Sequence, residues 1–333
     1  DTYRALHPLI TIIDEQRTTD FINSFLEIYK QSGRLPVWEL ASNETDCMIG
    51  YHSVSVIADA YMKGIRGFDT KLALEAMVAS ANTDLFGLPS YRKYGFVRAE
   101  DESESVSKTL EYAYDDWCIA QMANEMGEDS IADVFYRRAE SWRNIINPET
   151  GFATPRINGD WIADFDPRQV NLHFTEANSW QYSFVQQLDY AFDPFKSEER
   201  VELKTKLDKF FSASDKTTGR TQSDITGLLG QYAHGNEPSH HIAYLYSDLY
   251  EGQEKMQSII NRICDSFYTS TPDGLIGNED CGQMSAWYVL SASGFYPVSP
   301  GSNQYTVGSC QFDKVKFNLS NGQEFVIADN RSH

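Results

Sequence analysis

Two short segments near the C-terminal end hold the side chains best suited to chemistry. One is His234-Gly235-Asn236-Glu237-Pro238-Ser239-His240-His241; the other is Gly277-Asn278-Glu279-Asp280-Cys281-Gly282-Gln283, which follows Pro272-Asp273-Gly274. Each sets carboxylates and amides beside glycines, just ahead of an apolar stretch with helical spacing. Glycine lets backbone approach a ligand closely, and clustered oxygen donors suit a hard cation or an activated water. In the first segment Pro238 fits the first turn of a helix, placing Asn236 and Glu237 beside free N–H groups, with His240 and His241 following. Glu237 and the imidazoles could grip sugar hydroxyls, or His234, Glu237 and His240 could hold zinc. The zinc reading is weaker, because the helical His-Glu-x-x-His spacing is absent. Hydrogen-bonded histidines around a capped helix remain the plain alternative. In the second segment Asp280 could serve as a helix cap, but a cap needs only one acid.

A third candidate lies upstream, in His173-Phe174-Thr175-Glu176-Ala177-Asn178-Ser179-Trp180-Gln181-Tyr182. Glu176 is expected to open a helix beside aromatic rings, where burial raises a carboxyl pKa as a general acid requires; an acid in a first helical turn is also an ordinary dipole preference. A fourth, Leu35-Pro36-Val37-Trp38-Glu39-Leu40 with Asn43-Glu44-Thr45-Asp46, puts an aromatic ring and acids on one loop. No Gly-rich phosphate loop, Gly-x-Ser-x-Gly elbow or paired-cysteine motif is present. Separated carboxylates suit glycoside hydrolysis.

The elements that must position these residues are mostly helical. Apolar spacing predicts helices over 18–33, around 54–61, and over 72–81, 106–126, 131–146, 177–190, 201–211, 240–250 and 256–267. The segment around Val106, Leu110, Ala113, Trp117 and Ala120 is apolar around much of its circumference, which favours a helix packed on two sides in a layered toroid. After Pro297 the pattern changes to alternation, with Asn321-Gly322 between Phe317 and Phe325, which predicts a β-hairpin. The expected division is a helical barrel over 1–295 and a small β region over 296–333, cut short at its end.

The chain has 333 residues, 41% hydrophobic, enough for a large core. Its formal charge of −20 argues against nucleic acid or anionic membrane as partner. Five scattered cysteines make no disulfide framework. No apolar run reaches the roughly 20 residues of a membrane span. Asp1-Thr2-Tyr3-Arg4 leads straight into an apolar stretch, so the chain is expected to be a piece of a longer protein.

In order along nearly the whole chain, Leu35 to Leu40, Cys47 to His52 with Val56 to Ala60, Ser105 to Tyr112, Glu176 to Tyr182, Gly235 to His241 and Gly277 to Pro297 resemble glycoside hydrolase family 92, the calcium-dependent exo-α-mannosidases. The resemblance implies a mainly α, (α/α)6 catalytic barrel, inversion of configuration, and Ca2+ as cofactor. It also implies an N-terminal β-sandwich domain as intramolecular partner, and export to the periplasm or cell exterior. It assigns Glu176 as general acid and Asp280 as general base. Asp1, Trp38, Glu237, His240 and His241 would bind substrate, and Asn236 and Glu279 would hold calcium. The substrate would be terminal α-mannose on N-glycans or mannan. Asn236 stands where α-1,2-cleaving members carry His, which leaves the other linkages open. The competing readings are an inverting glycosidase for another sugar and a noncatalytic mannan-binding barrel.

Overall fold

Short-range signals set the helix ends. The computed structural model describes residues 1–185, 188 and 196–328. Its first long helices are α1 (Leu6–Ile13) and α2 (Glu15–Ser32); Asp14 caps α2 by accepting from Arg17 N, and Gly33 ends it in the left-handed conformation that glycine adopts without a Cβ clash. Next come α3 (Ser53–Met62) and α4 (Thr70–Ser80), the latter capped by Asp69, then α5 (Leu88–Tyr94), α6 (Ser105–Glu125) and α7 (Asp129–Ala139). The short α8 (Ser179–Tyr182) precedes α9 (Ser197–Ser212), α10 (Gly252–Phe267) and α11 (Gln283–Ala292). Together they form the expected mainly α, (α/α)6 barrel. Among the described residues every sheet is two-stranded.

The helix α6 is the axle of one half. Eighteen of its 21 residues are buried, including Lys108, Glu111, Asp115 and Asp116, and it packs against α3, α4 and α7. A first apolar cluster joins α2 to α7, and a second joins α9, α10 and α11 with Leu9 of α1. Packed on both α2 and α11, α1 connects the beginning of the chain to its last helix. Among the described residues, no helix is long and apolar enough to cross a membrane.

Two expectations about elements change. The helix expected over 240–250 is broken into 3-10 turns at Glu237–Ser239 and Ile242–Tyr246. Here buried imidazoles take main-chain carbonyls as partners, His240 Nε2 on His234 O at 2.9 Å and His241 Nε2 on Phe184 O at 3.0 Å, and these tertiary bonds override the local pattern. The helix expected over 177–190 begins as α8, while 186, 187, 189 and 190 lie outside the described residues. The predicted hairpin forms, pairing Lys314–Asn318 with Glu324–Ala328. It is no separate unit: Phe317 packs 5.7 Å from Phe295 within the second helical cluster, so no break in the core falls at residue 295.

Candidate active site

The backbone around Glu176 is fixed from both sides. Thr175 N donates to Ser107 Oγ of α6 at 2.9 Å, and two residues after Glu176 a capping box starts α8: Asn178 Oδ1 accepts from Trp180 N (3.0 Å) while Gln181 Oε1 accepts from Asn178 N (2.7 Å). Gln181 Nε2 and Asn178 Nδ2 then reach Gln231 O and Oε1, tying α8 to the loop that leads to Asn236. Glu176 therefore precedes the helix and does not open it, correcting the expected first-turn placement. It sits at φ 50°, a left-handed conformation costing a non-glycine residue of order 1–3 kcal/mol. Burial raises the pKa of its carboxyl, and the nearby Asp224 carboxylate raises it further, while Asn236 Nδ2 donates to Oε2 at 3.2 Å and partly opposes them.

The second carboxylate comes from a sharp reversal ahead of α11. Asp280, Cys281 and Gly282 are all left-handed, at φ 54°, 56° and 108°. The plain reading of Asp280 as the cap fails: Gly282 holds the N-cap position of α11, and the carboxylate that reaches its first turn is that of Glu279, whose Oε1 accepts from Ser285 N at 3.2 Å. Asp280 is left free to share a hydrogen bond with the carboxyl of Glu237. Burial raises the pKa of both, so the pair holds a proton above the ordinary carboxylate range.

The two loops meet at their glycines. Gly277 has φ 73°, and a Cβ there would lie 3.0 Å from Gly235 O and 3.1 Å from Gly235 Cα. Gly277→Ala is therefore expected to force the loops apart and cost about 1–3 kcal/mol, measured by denaturant unfolding. A change under about 0.5 kcal/mol would mean that the loops separate freely.

Several expected ligands turn out to be supports. His240 is fully enclosed, with Nδ1 3.1 Å from Gln283 Nε2 as well as Nε2 on His234 O. His241 is also buried, and burial lowers both pKa values to about 3, so the rings are neutral braces. Expected as sugar ligands, both rings are enclosed by protein, His240 with both nitrogens engaged and His241 with Nδ1 left without a hydrogen bond among the described residues. The zinc alternative falls too, because the ring nitrogens of His234 are engaged by Tyr232 OH (2.8 Å) and Tyr268 OH (2.7 Å). Glu237 is 7% exposed and turned to Asp280, so its part is to hold that carboxyl. Trp38 stays on an exposed loop whose Val37, Trp38, Thr45 and Asp46 N–H groups are gathered by Glu44; no hydrogen bond or ring contact joins it to these carboxylates among the described residues. Asn236 gives its amide hydrogens to Glu176, and Glu279 reaches the first turn of α11, so each expected metal ligand has a protein partner.

Asp1 does stand beside the site. Its carboxylate lies 3.2 Å from His52 Nε2 and 3.3 Å from Arg4 Nε. Arg4 in turn pairs with Glu111 of α6 at 2.6 Å.

Asp224, Arg4 and Glu111 escaped the sequence reading, while Gln283, expected among the oxygen donors of the acidic loop, serves as a tie between elements. Asp224, 3.3 Å from Asn278 Nδ2, belongs to no motif. Gln283 Oε1 accepts from Ala5 N (2.9 Å) and Leu6 N (3.3 Å), which joins α11, α1 and His240. For Glu111 a signal existed: a carboxylate in a helix apolar on nearly every side must have a buried partner.

Carboxyls with raised pKa values, Glu176 on one segment and Asp280 with Glu237 on the acidic loops, close enough for Asp280 to act on Glu176, suit a glycoside hydrolase. The sequence model of the Glycosyl hydrolase family 92 catalytic domain matches residues 1–333. The chain belongs to family 92. Among solved family 92 structures, an α-mannosidase of Bacteroides thetaiotaomicron in complex with mannoimidazole is 42% identical, with a TM-score of 0.92 over 100% of this chain and 45% of that one. An inverting mannosidase of the same bacterium is 37% identical, with a TM-score of 0.86 over 100% of this chain and 47% of that one. An uncharacterized secreted glycosidase of Arthroderma benhamiae is 27% identical over 90% of this chain and 42% of its own length. This family 92 domain thus spans less than half the length of these relatives.

The donor chemistry of the site fits a hard cation. Its side chains offer oxygen, and Glu176, Asp224, Glu279 and Asp280 crowd negative charge together. Among the described residues no three His, Cys, Asp or Glu side chains form a metal-holding group.

Proposed function

We propose that this domain is the catalytic part of an exo-acting α-mannosidase that removes terminal α-linked mannose from N-glycans or mannan with inversion. One observation carries the reading: Glu176 is a half-buried carboxyl with a raised pKa, and a second, separately positioned carboxyl, Asp280 paired with Glu237, adds to the field around it. An inverting hydrolase needs one protonated and one ionised carboxyl.

In this mechanism Glu176 gives its proton to the glycosidic oxygen as the bond from that oxygen to the anomeric carbon breaks. Asp280 takes a proton from a water whose oxygen bonds to the same carbon from the opposite face. The products are β-mannose and the hydroxyl of the leaving group. Proton exchange with solvent then returns Glu176 to its acid form and Asp280 to carboxylate. Glu237, the more deeply buried partner, donates to Asp280, which favours the ionised base despite its burial. Asp1, held by Arg4 and His52, is placed to accept from mannose hydroxyls. Calcium held at Asn236 Oδ1 and Glu279 would engage vicinal hydroxyls of the sugar and favour a flattened ring. The secreted name of one relative supports a periplasmic or extracellular setting; the intramolecular partner, an N-terminal β-sandwich domain, is what the family resemblance implies.

The test is to give the intact protein α-linked mannobioses and follow the anomeric proton of the released sugar by NMR, with and without a chelator. First-formed β-mannose, lost on chelation, is expected. First-formed α-mannose would sink inversion, and release that survives chelation would sink the calcium requirement.

Asp224 gives a pH prediction. The acid must be protonated, so activity falls as pH rises through the pKa of Glu176. The charge of Asp224 helps to hold that pKa up, after burial. Asp224→Asn is therefore expected to move the alkaline limb of the kcat profile to lower pH; a limb that stays in place or moves up contradicts the electrostatic account.

A further inference from the structure

The strap ahead of Glu176 is laced to the start of α6. Glu104 N donates to Leu172 O at 2.7 Å, Val106 N to His173 O at 3.1 Å, and Thr175 N to Ser107 Oγ at 2.9 Å. Glu104, at the head of α6, is a non-glycine residue at φ 56°, and Lys108 Nζ lies 3.9 Å from its carboxylate and 3.0 Å from Glu102. Leu172 is 65% exposed, the largest exposure of an apolar side chain on this strap. The imidazole of His173 makes no hydrogen bond to protein among the described residues. The strap that carries Leu172 and His173 runs directly into Glu176, and its bonds to the head of α6 keep Glu104 beside the same segment.

A general acid must touch the glycosidic oxygen, so what surrounds it on the outer side meets the departing sugar, while the base lies across the ring. We propose that Glu104, Leu172 and His173 form the subsite for the leaving-group sugar, a neutral hexose unit, and set which linked sugar is accepted. This rests on the mannosidase reading above. Leu172 offers an apolar surface for the C–H face of that sugar. The carboxylate of Glu104 accepts from its hydroxyls. Half-buried, His173 is kept neutral by burial, which lowers its pKa, so its ring can both donate and accept. Such contacts serve linked sugars and are useless to a substrate without one.

The experiment compares α-mannobiose with α-mannosyl fluoride, whose leaving group has no sugar, for the intact protein and for Glu104→Gln and Leu172→Ala. The expected result is a fall of about fivefold or more in the ratio of kcat/KM on mannobiose to kcat/KM on the fluoride, expressed mainly in KM; a hydrogen bond or apolar contact of about 1 kcal/mol corresponds to a factor of about five. A ratio unchanged in both variants overturns the subsite. Equal losses on both substrates overturn it too, since they assign these residues to the catalytic site or the fold. Turnover of neither substrate by the unsubstituted protein overturns the mannosidase reading itself, a result distinct from either of these.

Discussion

Glu176→Gln is expected to lower kcat on α-mannobiose by about 10²–10⁴, the usual contribution of a positioned general acid. The amide keeps the size and the left-handed backbone of Glu176 but has no proton to give to a sugar hydroxylate. With 2,4-dinitrophenyl α-mannoside the loss is expected to be far smaller, because that leaving group departs without protonation. KM is expected to stay within a few-fold, since the surrounding contacts are intact. The alkaline limb of the pH profile is also expected to disappear, because the group held above the ordinary carboxylate range by burial and Asp224 is gone. Equal loss on both substrates would remove Glu176 from the acid role, and a noncatalytic sugar-binding barrel predicts no turnover in either protein.

Glu111→Ala is expected to cost about 3–5 kcal/mol of unfolding free energy, measured by denaturant titration. Arg4 is 7% exposed and Glu111 4% exposed; their contact is 2.6 Å, and Tyr3 OH adds a bond to the second carboxylate oxygen at 3.2 Å. Burial works most strongly against the Arg4 charge, but Glu111 together with the nearby tyrosines, Tyr3 among them, outweighs it and leaves the guanidinium pKa above its ordinary value. Removing the carboxylate strands a cation inside the barrel beside Asp1 and His52. Activity is expected to fall together with stability, because Arg4 also steadies the carboxylate of Asp1. Replacing both partners, Arg4→Met with Glu111→Leu, is expected to recover part of the stability, because neither charge of that pair is left stranded while Asp1 keeps only His52 beside it. A loss below about 1 kcal/mol in the single variant would mean that water reaches the pair.

Local pattern determined most of the helices and the kind of site. The spacing of Phe21, Phe25 and Ile28 before Gly33 marked α2, the apolar circumference of α6 marked a helix packed on two sides, and the alternation around Asn321-Gly322 marked the hairpin. These signals are local, since capping, glycine conformation and apolar periodicity act within a few residues of chain. Glu176 and the loop at Asp280 were legible because carboxylates grouped with glycines and amides are rare outside a site.

What each of those residues does was decided only by residues distant in sequence. His240 and His241 read as sugar ligands and became braces, because a donor on Gln283 and the carbonyls of His234 and Phe184 reach them. Glu279 took the first turn of α11, leaving Asp280 to pair with Glu237 across a gap of 43 positions. Asp224 and Arg4 carry no motif, and their charges matter through distance and burial. Those quantities exist only once the chain has closed and the low-dielectric interior has fixed which polar groups must meet.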